Sequence, residues 1–365
     1  MKKNKSIIKK RHTKKLRIKQ KNYSLLDKIS YENFVMNNFN ISNLTKSGIK
    51  FLLIIFLLII FFTDHNFESN YEIPEVNYGL SLDQKMKDYA FKKFAVVRRT
   101  ECWNCGFFSF YLVHLGCINH FLQKGYIPII DLQSFKNIYN KRNKSVYNPW
   151  EIFFEQPYNY TLGEVNNYAK NIHRRQCTQT FYRPNNFKLY DSNSSLHFWH
   201  KIAKNFMPVK EEIINEANDI MKKFFGNSKN ILGVKMRGTD YTALKPRGHA
   251  VQPTVEQVIT DVKIFDKEYK YDYIFFATED ENIRNKFIPE FGDKVKFLFP
   301  KDFKNVTNYN ERVNKQLSYV KNYVLNIVIL SKCLDIITSK CSGSAGVFIM
   351  SEGFRHTKVY ELGRY

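Results

Sequence analysis

The sequence predicts an α/β protein with parallel sheets, preceded by a single transmembrane helix. In the C-terminal half, apolar runs of strand length alternate with segments of helical period, which is typical of a parallel, doubly wound domain. A strand–helix–strand order that begins near Phe94 indicates a second βαβ layer. The unbroken apolar run FLLIIFLLIIFF at 51–62 predicts the membrane segment.

The first 63 residues predict a basic tail and a signal-anchor. Eleven Lys and Arg residues and no acid precede Tyr23, and they supply about half of the formal net charge of +23. Residues 44–63 reach the roughly 20 residues that a spanning helix needs, provided that Lys50 snorkels. A buried core helix would show a polar stripe, and a cleaved signal peptide would have a short leader. We therefore expect a cytoplasmic tail at 1–43 and an anchor at 44–63.

This topology predicts a single-pass type II membrane protein that faces the lumen of the Golgi or endoplasmic reticulum, in host membranes if the chain is viral. All six cysteines follow the anchor, in a compartment where disulfides persist. The CxxC at 102–105 lacks thioredoxin-like surroundings, and no second ligand pair for zinc follows it, so we expect structural bridges with unassigned partners. The candidate glycosylation sites are Asn143, Asn159, Asn193 and Asn305.

Residues 64–93 are mostly polar and show no sustained period, which predicts a stem or linker. The expected N-terminal domain, 94–225, opens with the strand–helix–strand order described above. Apolar residues recur later at helical spacing, and Gly226 ends the last of these segments. The expected elements are strands at 95–97 and 126–130, and helices at 107–122, 164–175 and 198–225.

The expected C-terminal domain, 226–365, begins with a buried strand, ILGV at 231–234. Thr254 and Gln257 form a capping box that opens a helix at 255–265. A turn of small residues, SKCSGSA at 339–345, opens the last helix. The other expected elements are strands at 273–277, 295–299 and 335–338, a helix from 282, and a helix at 322–333.

Polar side chains follow three of these strands at the point where each strand ends. In a parallel sheet such ends share one edge, where ligands bind. A guanidinium grips a phosphate with two hydrogen bonds, and a helix N-terminus offers free amides to an anion. The arrangement suits a nucleoside diphosphate, whereas the sequence has neither an Asp-x-Asp pair for a bridging metal nor a P-loop motif. The residues concerned are Arg237, Asp240, Thr278, Asp280, Ser339, Ser342 and Ser344.

These motifs, in this order, resemble those of the GDP-fucose-dependent fucosyltransferases of the α1,6, α1,2 and protein-O type. The first family motif, H-x-R-R-x-D, stands here as KMRGTD at 235–240. CGFF at 105–108 resembles the glycine turn of the N-terminal domain, and ATED at 277–280 resembles the A-T-D-D after the next strand. Residues 325–344 resemble the closing helix, strand and serine-rich turn, and the similarity spans roughly residues 94–355.

The resemblance implies a GT-B-like fold of two Rossmann-like domains, 94–225 for the acceptor and 226–365 for the nucleotide sugar. It implies an inverting, metal-independent transfer of fucose from GDP-fucose to a glycan or glycoprotein hydroxyl, with no further cofactor. By motif position, Arg237 would bind the β-phosphate and stabilise the departing GDP, with Lys235 as a second cation. The other donor-side residues would be Asp240 on the loop, Asp280 or Thr278 on the ribose side, and Ser342 at a phosphate, with Ser344 also binding the donor.

Two departures from the family pattern leave other donors open. Gly238 replaces the second arginine of the first motif, and Asn326 stands where an aspartate that helps to read guanine is expected. The carboxylate that the α1,6 enzymes place after this motif is missing, because 241–255 contains no acid, and His249 is the nearest candidate base. The alternatives are a transferase for another nucleotide sugar and a non-catalytic, membrane-anchored glycan-binding protein with a degenerate transferase fold. Nucleic acid is not an expected partner, because about half of the excess charge lies in the tail.

Overall fold

The structure is a computed structural model, and residues 72–365 form one compact unit in it. The expected tail at 1–43, the expected anchor at 44–63 and Asp240 lie outside the described residues. Within the described part of the chain, no helix combines the length and the apolar character needed to cross a membrane. The described residues are 73, 76, 78–102, 104–140, 147–177, 184, 189–191, 193–238, 241, 244–298 and 316–365.

The first sheet has three parallel strands in the order β2-β1-β3. They are β1 (Phe94–Arg98), β2 (Ile127–Ile130) and β3 (Ile172–Gln176). The apolar helix α2 (Phe107–Gln123) connects β1 to β2, as the sequence predicts for a βαβ unit. Parallel pairing aligns Phe94 with Ile127 on one side and with Ile172 on the other, so β1 is the central strand.

The segment predicted to be a stem, 64–93, contains a helix at its C-terminal end. Helix α1 (Leu82–Phe91) begins at Ser81, whose hydroxyl accepts a hydrogen bond from the Gln84 amide. Only Asp88 and Tyr89 of this helix are buried, so its sequence shows no apolar period. Tyr89 packs against Phe94, and Asp88 accepts a hydrogen bond from a buried tyrosine, which fixes α1 to the first sheet.

Two expectations for the predicted N-terminal domain, 94–225, are corrected. The segment 164–175 was expected to be one helix, but helix α3 (Leu162–Tyr168) ends early and β3 follows it. β3 is a largely exposed edge strand with the sequence IHRRQ, which has no apolar alternation to reveal it. The segment 198–225 forms two helices, α4 (Asn193–Phe206) and α5 (Glu211–Phe225), with Pro208 between them.

The second sheet has five parallel strands in the order β6-β5-β4-β7-β8. The strands are β4 (Ile231–Lys235), β5 (Tyr273–Ala277), β6 (Val295–Lys296), β7 (Asp335–Ser339) and β8 (Thr357–Tyr360). The strands expected from the sequence are all present, although β6 is shorter than expected, and β8 was not predicted.

Helices cover both faces of the second sheet. On one face, Val258 and Phe287 pack with Leu232 and Phe276 of the strands. On the other face, Gly233 lies close to Leu330, which shows that α8 packs there. Two parallel sheets flanked by helices fit a GT-B-like fold. The helices are α6 (Val255–Tyr269), α7 (Glu281–Phe291), α8 (Gln316–Ser331) and α9 (Ser342–Met350).

Helix α9 packs against elements that precede the second sheet. It follows β7 and contacts both α2 and α4. The contact with α2 is close, because a Cβ atom added to Gly346 would lie 2.4 Å from the Phe108 ring. This packing brings the N-termini of α2 and α9 to one cavity.

Candidate functional site

A cavity of about 420 Å³ lies at the carboxyl ends of β4 and β7. One wall is formed by Cys102, Asn104, Cys105, Gly106, Phe108 and Ser109, from the disulfide-bridged turn to the first turn of α2. Arg237, the loop around His249, Tyr323 and the start of α9 form the rest. The cavity therefore occupies the sheet edge where the sequence predicts an anion site.

Arg237 lies in the cavity wall two residues after β4, and its guanidinium is held from two sides. Its Nε lies 3.2 Å from Oε1 of Glu279, and both side chains are largely buried, with 21% and 12% exposed. The guanidinium also lies over the Tyr241 ring, 4.8 Å from its centroid. Such an arrangement orients a planar cation before any ligand arrives.

Two helix N-termini face this cavity. Helix α2 begins after Gly106 and helix α9 begins after Cys341, and neither capping residue has a side-chain oxygen. Gly106 and Ser109 of the first turn, and Ser342 and Gly343 of the second, line the cavity. Backbone amides at a helix N-terminus carry partial positive charge and bind anions.

The charged side chains that line the cavity are cationic. They are Arg237 and Lys340, and each forms an ion pair with a carboxylate behind the lining, Glu279 and Glu361. None of the described residues that line the cavity is an aspartate or a glutamate. The two cationic side chains and the amides of the two helix N-termini are hydrogen-bond donors that suit a phosphate group.

A buried polar cluster lies at the floor of this site. Nζ of Lys235 lies 3.4 Å from Sγ of Cys341, and Oγ of Ser344 lies 3.2 Å from the same sulfur. Ser344 also shares a hydrogen bond of 2.7 Å with Thr338. Burial raises the pKa of Cys341, but the charges of Lys235 and Arg237 outweigh it, and the pKa lies below its ordinary value.

Tyr323 closes the cavity over the start of α9. A Cβ atom on Gly343 would lie 2.2 Å from the Tyr323 oxygen, so only glycine allows this approach. Burial, followed by the charge of Cys341, raises the pKa of Tyr323 well above its ordinary value. Its hydroxyl therefore stays protonated and can donate a hydrogen bond into the cavity.

His249 lies at the exposed rim of the cavity. Its Nδ1 is 2.9 Å from the Tyr241 hydroxyl, and the two rings pack edge to face at 5.0 Å. Because Tyr241 also lies under the Arg237 guanidinium, the three side chains form one connected group. When Nδ1 donates to the tyrosine oxygen, Nε2 is left as a proton acceptor.

The structure brings together five of the residues predicted from the sequence. Arg237, His249 and Ser342 line the cavity, and Lys235 and Ser344 lie in the layer behind it. Asp240 lies outside the described residues. Sequence reasoning missed Lys340, Tyr323 and Cys341, because each depends on how β7, α8 and α9 pack around β4.

Thr278, Asp280 and Asn326 do not line this cavity. Asp280 caps α7, accepting hydrogen bonds from the amides of Asn282 and Ile283, and its own amide donates to Thr278. Asp280 also occupies the space beside Gly238, where an added Cβ would lie 2.5 Å from Asp280 Cβ. A side chain at position 238 would therefore require Asp280 to move.

Asn326 is buried in α8. Its Nδ2 donates to the backbone oxygen of Asn322 at 2.9 Å, and its buried Oδ1 has no hydrogen-bond partner among the described residues. A buried acceptor in this state carries a desolvation cost until a donor reaches it. The structure therefore leaves the predicted role of Asn326 in base recognition as a prediction.

The cysteines divide into bridged and free groups, so the expectation of structural bridges holds for four of the six. Disulfides join Cys102 to Cys105 and Cys117 to Cys177. Cys333 and Cys341 are buried free thiols. Within the described ranges, no three His, Cys, Asp or Glu side chains group as metal ligands.

Comparisons with known proteins find similarity at the level of structure. No protein-family model and no curated protein matches the sequence. The chain is similar to the fucosyltransferase NodZ from Bradyrhizobium, with a TM-score of 0.43, 14% identity, and coverage of 70% of this chain and 92% of that one. It is also similar to POFUT1 in complex with GDP, with a TM-score of 0.47, 10% identity, and coverage of 74% and 98%.

A NodZ α-1,6-fucosyltransferase structure soaked with GDP-fucose gives a TM-score of 0.44 at 14% identity, over 71% of this chain and 93% of that one. At these identities the similarity concerns the fold alone.

Proposed function

We propose that this chain is a glycosyltransferase that moves fucose from GDP-fucose to a hydroxyl of a glycan or glycoprotein. The observation that carries the proposal is the cavity at the ends of β4 and β7. It combines Arg237, Lys340 and two helix N-termini, and its described lining contains no carboxylate. A diphosphate is the ligand chemistry that this combination fits best.

Loss of a nucleoside diphosphate leaves negative charge on the β-phosphate, and a transferase must stabilise that charge as it develops. Arg237 can do so, because Glu279 and Tyr241 already fix its guanidinium. The amides of Ser342 and Gly343 would hold the same phosphate, and the Tyr323 hydroxyl would add a neutral donor. These groups do the work that a metal ion does in metal-bridged transferases, so we propose metal-independent transfer.

His249 is the proposed base. In an inverting reaction, the acceptor oxygen attacks C1 of the sugar from the face opposite GDP and loses its proton as the new bond forms. His249 lies at the open rim, where an acceptor would enter, and Tyr241 orients its ring through Nδ1. We propose that Nε2 receives this proton when Nδ1 donates to the Tyr241 oxygen.

The cellular setting is also a proposal. We infer that residues 44–63 anchor the enzyme as a type II membrane protein, with the part after 63 in the Golgi or endoplasmic reticulum lumen. Two disulfides in the described part fit an oxidising compartment. We further propose that 94–225 serves the acceptor and 226–365 the nucleotide sugar.

The test is donor binding and turnover by the full-length chain, with GDP-fucose, GDP-mannose and UDP-sugars in the presence of EDTA. We expect GDP-fucose turnover to survive EDTA. Arg237→Ala should weaken GDP binding by about 10- to 100-fold, because hydrogen bonds to a charged group contribute about 1.5–3 kcal/mol. Arg237→Lys should recover part of this loss, since it keeps the charge without the two-pronged geometry.

Arg174→Ala is the matched control, because Arg174 lies on the exposed edge strand β3 and should leave GDP affinity unchanged. Binding restricted to UDP-sugars would show that the donor is a UDP-sugar and not GDP-fucose. Failure to bind any nucleotide sugar would overturn the enzyme proposal and favour a glycan-binding protein with a transferase fold.

A further inference from the structure

Cys341 is unusual among the buried cysteines because a buried ammonium lies beside it. Cys341 is 3% exposed and Lys235 is 4% exposed, and Nζ lies 3.4 Å from Sγ. Cys341 also lines the cavity and precedes the first turn of α9. A neighbouring cation and a helix N-terminus are the two features that favour the thiolate form of a cysteine.

The other polar groups near Cys341 strengthen this preference. Arg237 adds a second positive charge, partly offset by its ion pair with Glu279. Ser344 offers a hydroxyl to the sulfur from the first turn of α9. Burial raises the pKa of both Tyr323 and Tyr190, and the nearby charge of Cys341 raises it further. Both tyrosines therefore stay neutral.

Tyr190 is a second tyrosine close enough to Cys341 for their charges to interact, and burial, followed by that charge, raises its pKa well above its ordinary value. Its hydroxyl oxygen is buried and has no hydrogen-bond partner among the described residues. A buried hydroxyl without a partner carries a desolvation cost.

Cys333 provides a contrast within the same chain. It is also a buried free thiol, 3% exposed, but its sulfur donates to the Ile329 backbone oxygen at 3.4 Å. Burial alone acts on it and raises its pKa. The two free cysteines therefore have the same exposure and opposite electrostatic environments.

We propose that Cys341 is a covalent-modification site in the cavity wall, reactive toward small electrophiles and low-molecular-weight disulfides, and toward anionic ones above all. The cationic side chains and the helix amides that line the cavity favour the anionic reagents. A group attached to Sγ would occupy space beside Arg237 and Ser342. If the proposed function holds, that is the space of the donor diphosphate, and modification would block donor binding.

The chemistry balances with the reagents named. With an alkyl iodide, the thiolate sulfur attacks the methylene carbon, a carbon–sulfur bond forms and iodide leaves. With a small disulfide, the thiolate attacks one sulfur, a mixed disulfide forms and the second sulfur leaves as a thiolate. The disulfide is the oxidant in that exchange, and a reducing thiol reverses it.

The experiment labels the folded full-length chain, without reductant, between pH 5.5 and 9. Iodoacetamide and iodoacetate are used in parallel, and peptide mass spectrometry measures the rate at each cysteine. At pH 7 we expect Cys341 to react at least about tenfold faster than Cys333. We expect the iodoacetate to iodoacetamide rate ratio at Cys341 to exceed, by about threefold or more, its value in the unfolded chain.

Equal rates at Cys341 and Cys333, or labelling of Cys341 only after unfolding, would overturn the proposal. Lys235→Met should slow labelling of Cys341 at pH 7, whereas Lys332→Met, beside Cys333, should not change it. Should Lys235→Met fail to fold, Ser344→Ala removes a different contact to the sulfur and should slow the same reaction. The two-cysteine comparison in the unaltered chain needs no variant.

Labelling in the presence of GDP tests the modification site and the proposed function independently. Saturating GDP should slow the modification of Cys341 and leave Cys333 unchanged. Fast, selective labelling that GDP does not affect would support the modification site and contradict nucleotide binding in this cavity. Slow labelling in a chain that binds GDP would refute the modification site alone.

Discussion

The surroundings of His114 determine its protonation state in the folded protein. It lies in the middle of α2, fully buried, between Phe110 and Trp150. Neither ring nitrogen has a hydrogen-bond partner among the described residues. Burial, followed by the nearby charge of Arg99, lowers the pKa of His114 to about 3. The ring is therefore neutral in the folded protein above about pH 3.

This pKa predicts a pH dependence of stability with a definite sign. Below about pH 6.5 the unfolded chain protonates this histidine and the folded chain does not, so stability falls as the pH falls toward 3. The contribution is up to about 1.4 kcal/mol for each pH unit. His114→Leu should remove it, so that the unfolding free energy of the variant minus that of the unaltered chain rises from pH 7 to pH 5.

Denaturant unfolding at pH 7, 6 and 5 measures this slope. His197→Gln is the control, because His197 is exposed on α4 and should keep the slope of the unaltered chain. Parallel curves for His114→Leu and the unaltered chain would show that the imidazole is protonated inside the folded protein.

The site residues that sequence could predict are those with a local signal. Arg237 follows an apolar strand, and Ser342 opens a helix after another, so both can be placed at a sheet edge from the sequence alone. Lys235 was found as a cation, but its pairing with Cys341 joins residues 106 positions apart. Tyr323 lies on α8, and only the packing of that helix brings its hydroxyl to Gly343. Long-range contacts of this kind produce no local pattern in the sequence.

Among the strands and helices, those with a local sequence signal were predicted, and those without one were missed. β4, β5 and β7 are buried apolar runs, and the capping box of Thr254 and Gln257 marks the start of α6. The edge strand β3 and the helix α1 expose most of their side chains. Because periodicity reports burial of one face, elements that bury little are missed even when they complete a sheet or a core.

Helix α9 is the element on which the cavity most depends. Gly346 allows it to approach α2 so closely that a Cβ would lie 2.4 Å from the Phe108 ring. The same ring packs edge to face against Tyr323 at 5.3 Å. Gly346→Ala should therefore destabilise the protein by about 1–3 kcal/mol, as overpacking does, and weaken GDP binding as well.

Gly163→Ala in α3 is the matched substitution, because its nearest neighbour would be 4.0 Å away. Alanine is the better helix former, so this variant should be unchanged or more stable by about 0.5–1 kcal/mol. Urea unfolding and GDP titration of both variants check the prediction. A Gly346→Ala variant as stable as Gly163→Ala would mean that α9 and α2 can separate at no cost.

For the whole molecule, the disulfide between Cys117 and Cys177 ties the first sheet to its covering helix. Cys117 lies in α2 and Cys177 directly follows β3, at a sequence separation of 60. The closed loop contains β2, α3 and β3. Because β3 is an exposed edge strand that buries little apolar surface, the bridge supplies a constraint that side-chain packing there does not.

The loop length gives the size of the expected effect. The chain-entropy argument assigns about 4 kcal/mol to a bridge that closes a loop of this length, and less than half of that to a bridge between residues a few positions apart. The Cys117→Ala/Cys177→Ala double variant should therefore lose about 2–4 kcal/mol of unfolding free energy in non-reducing denaturant. The Cys102→Ala/Cys105→Ala double variant, whose bridge spans a separation of 3, should lose less. Equal losses in the two variants would contradict the loop argument and assign the stabilisation to local contacts around each bridge.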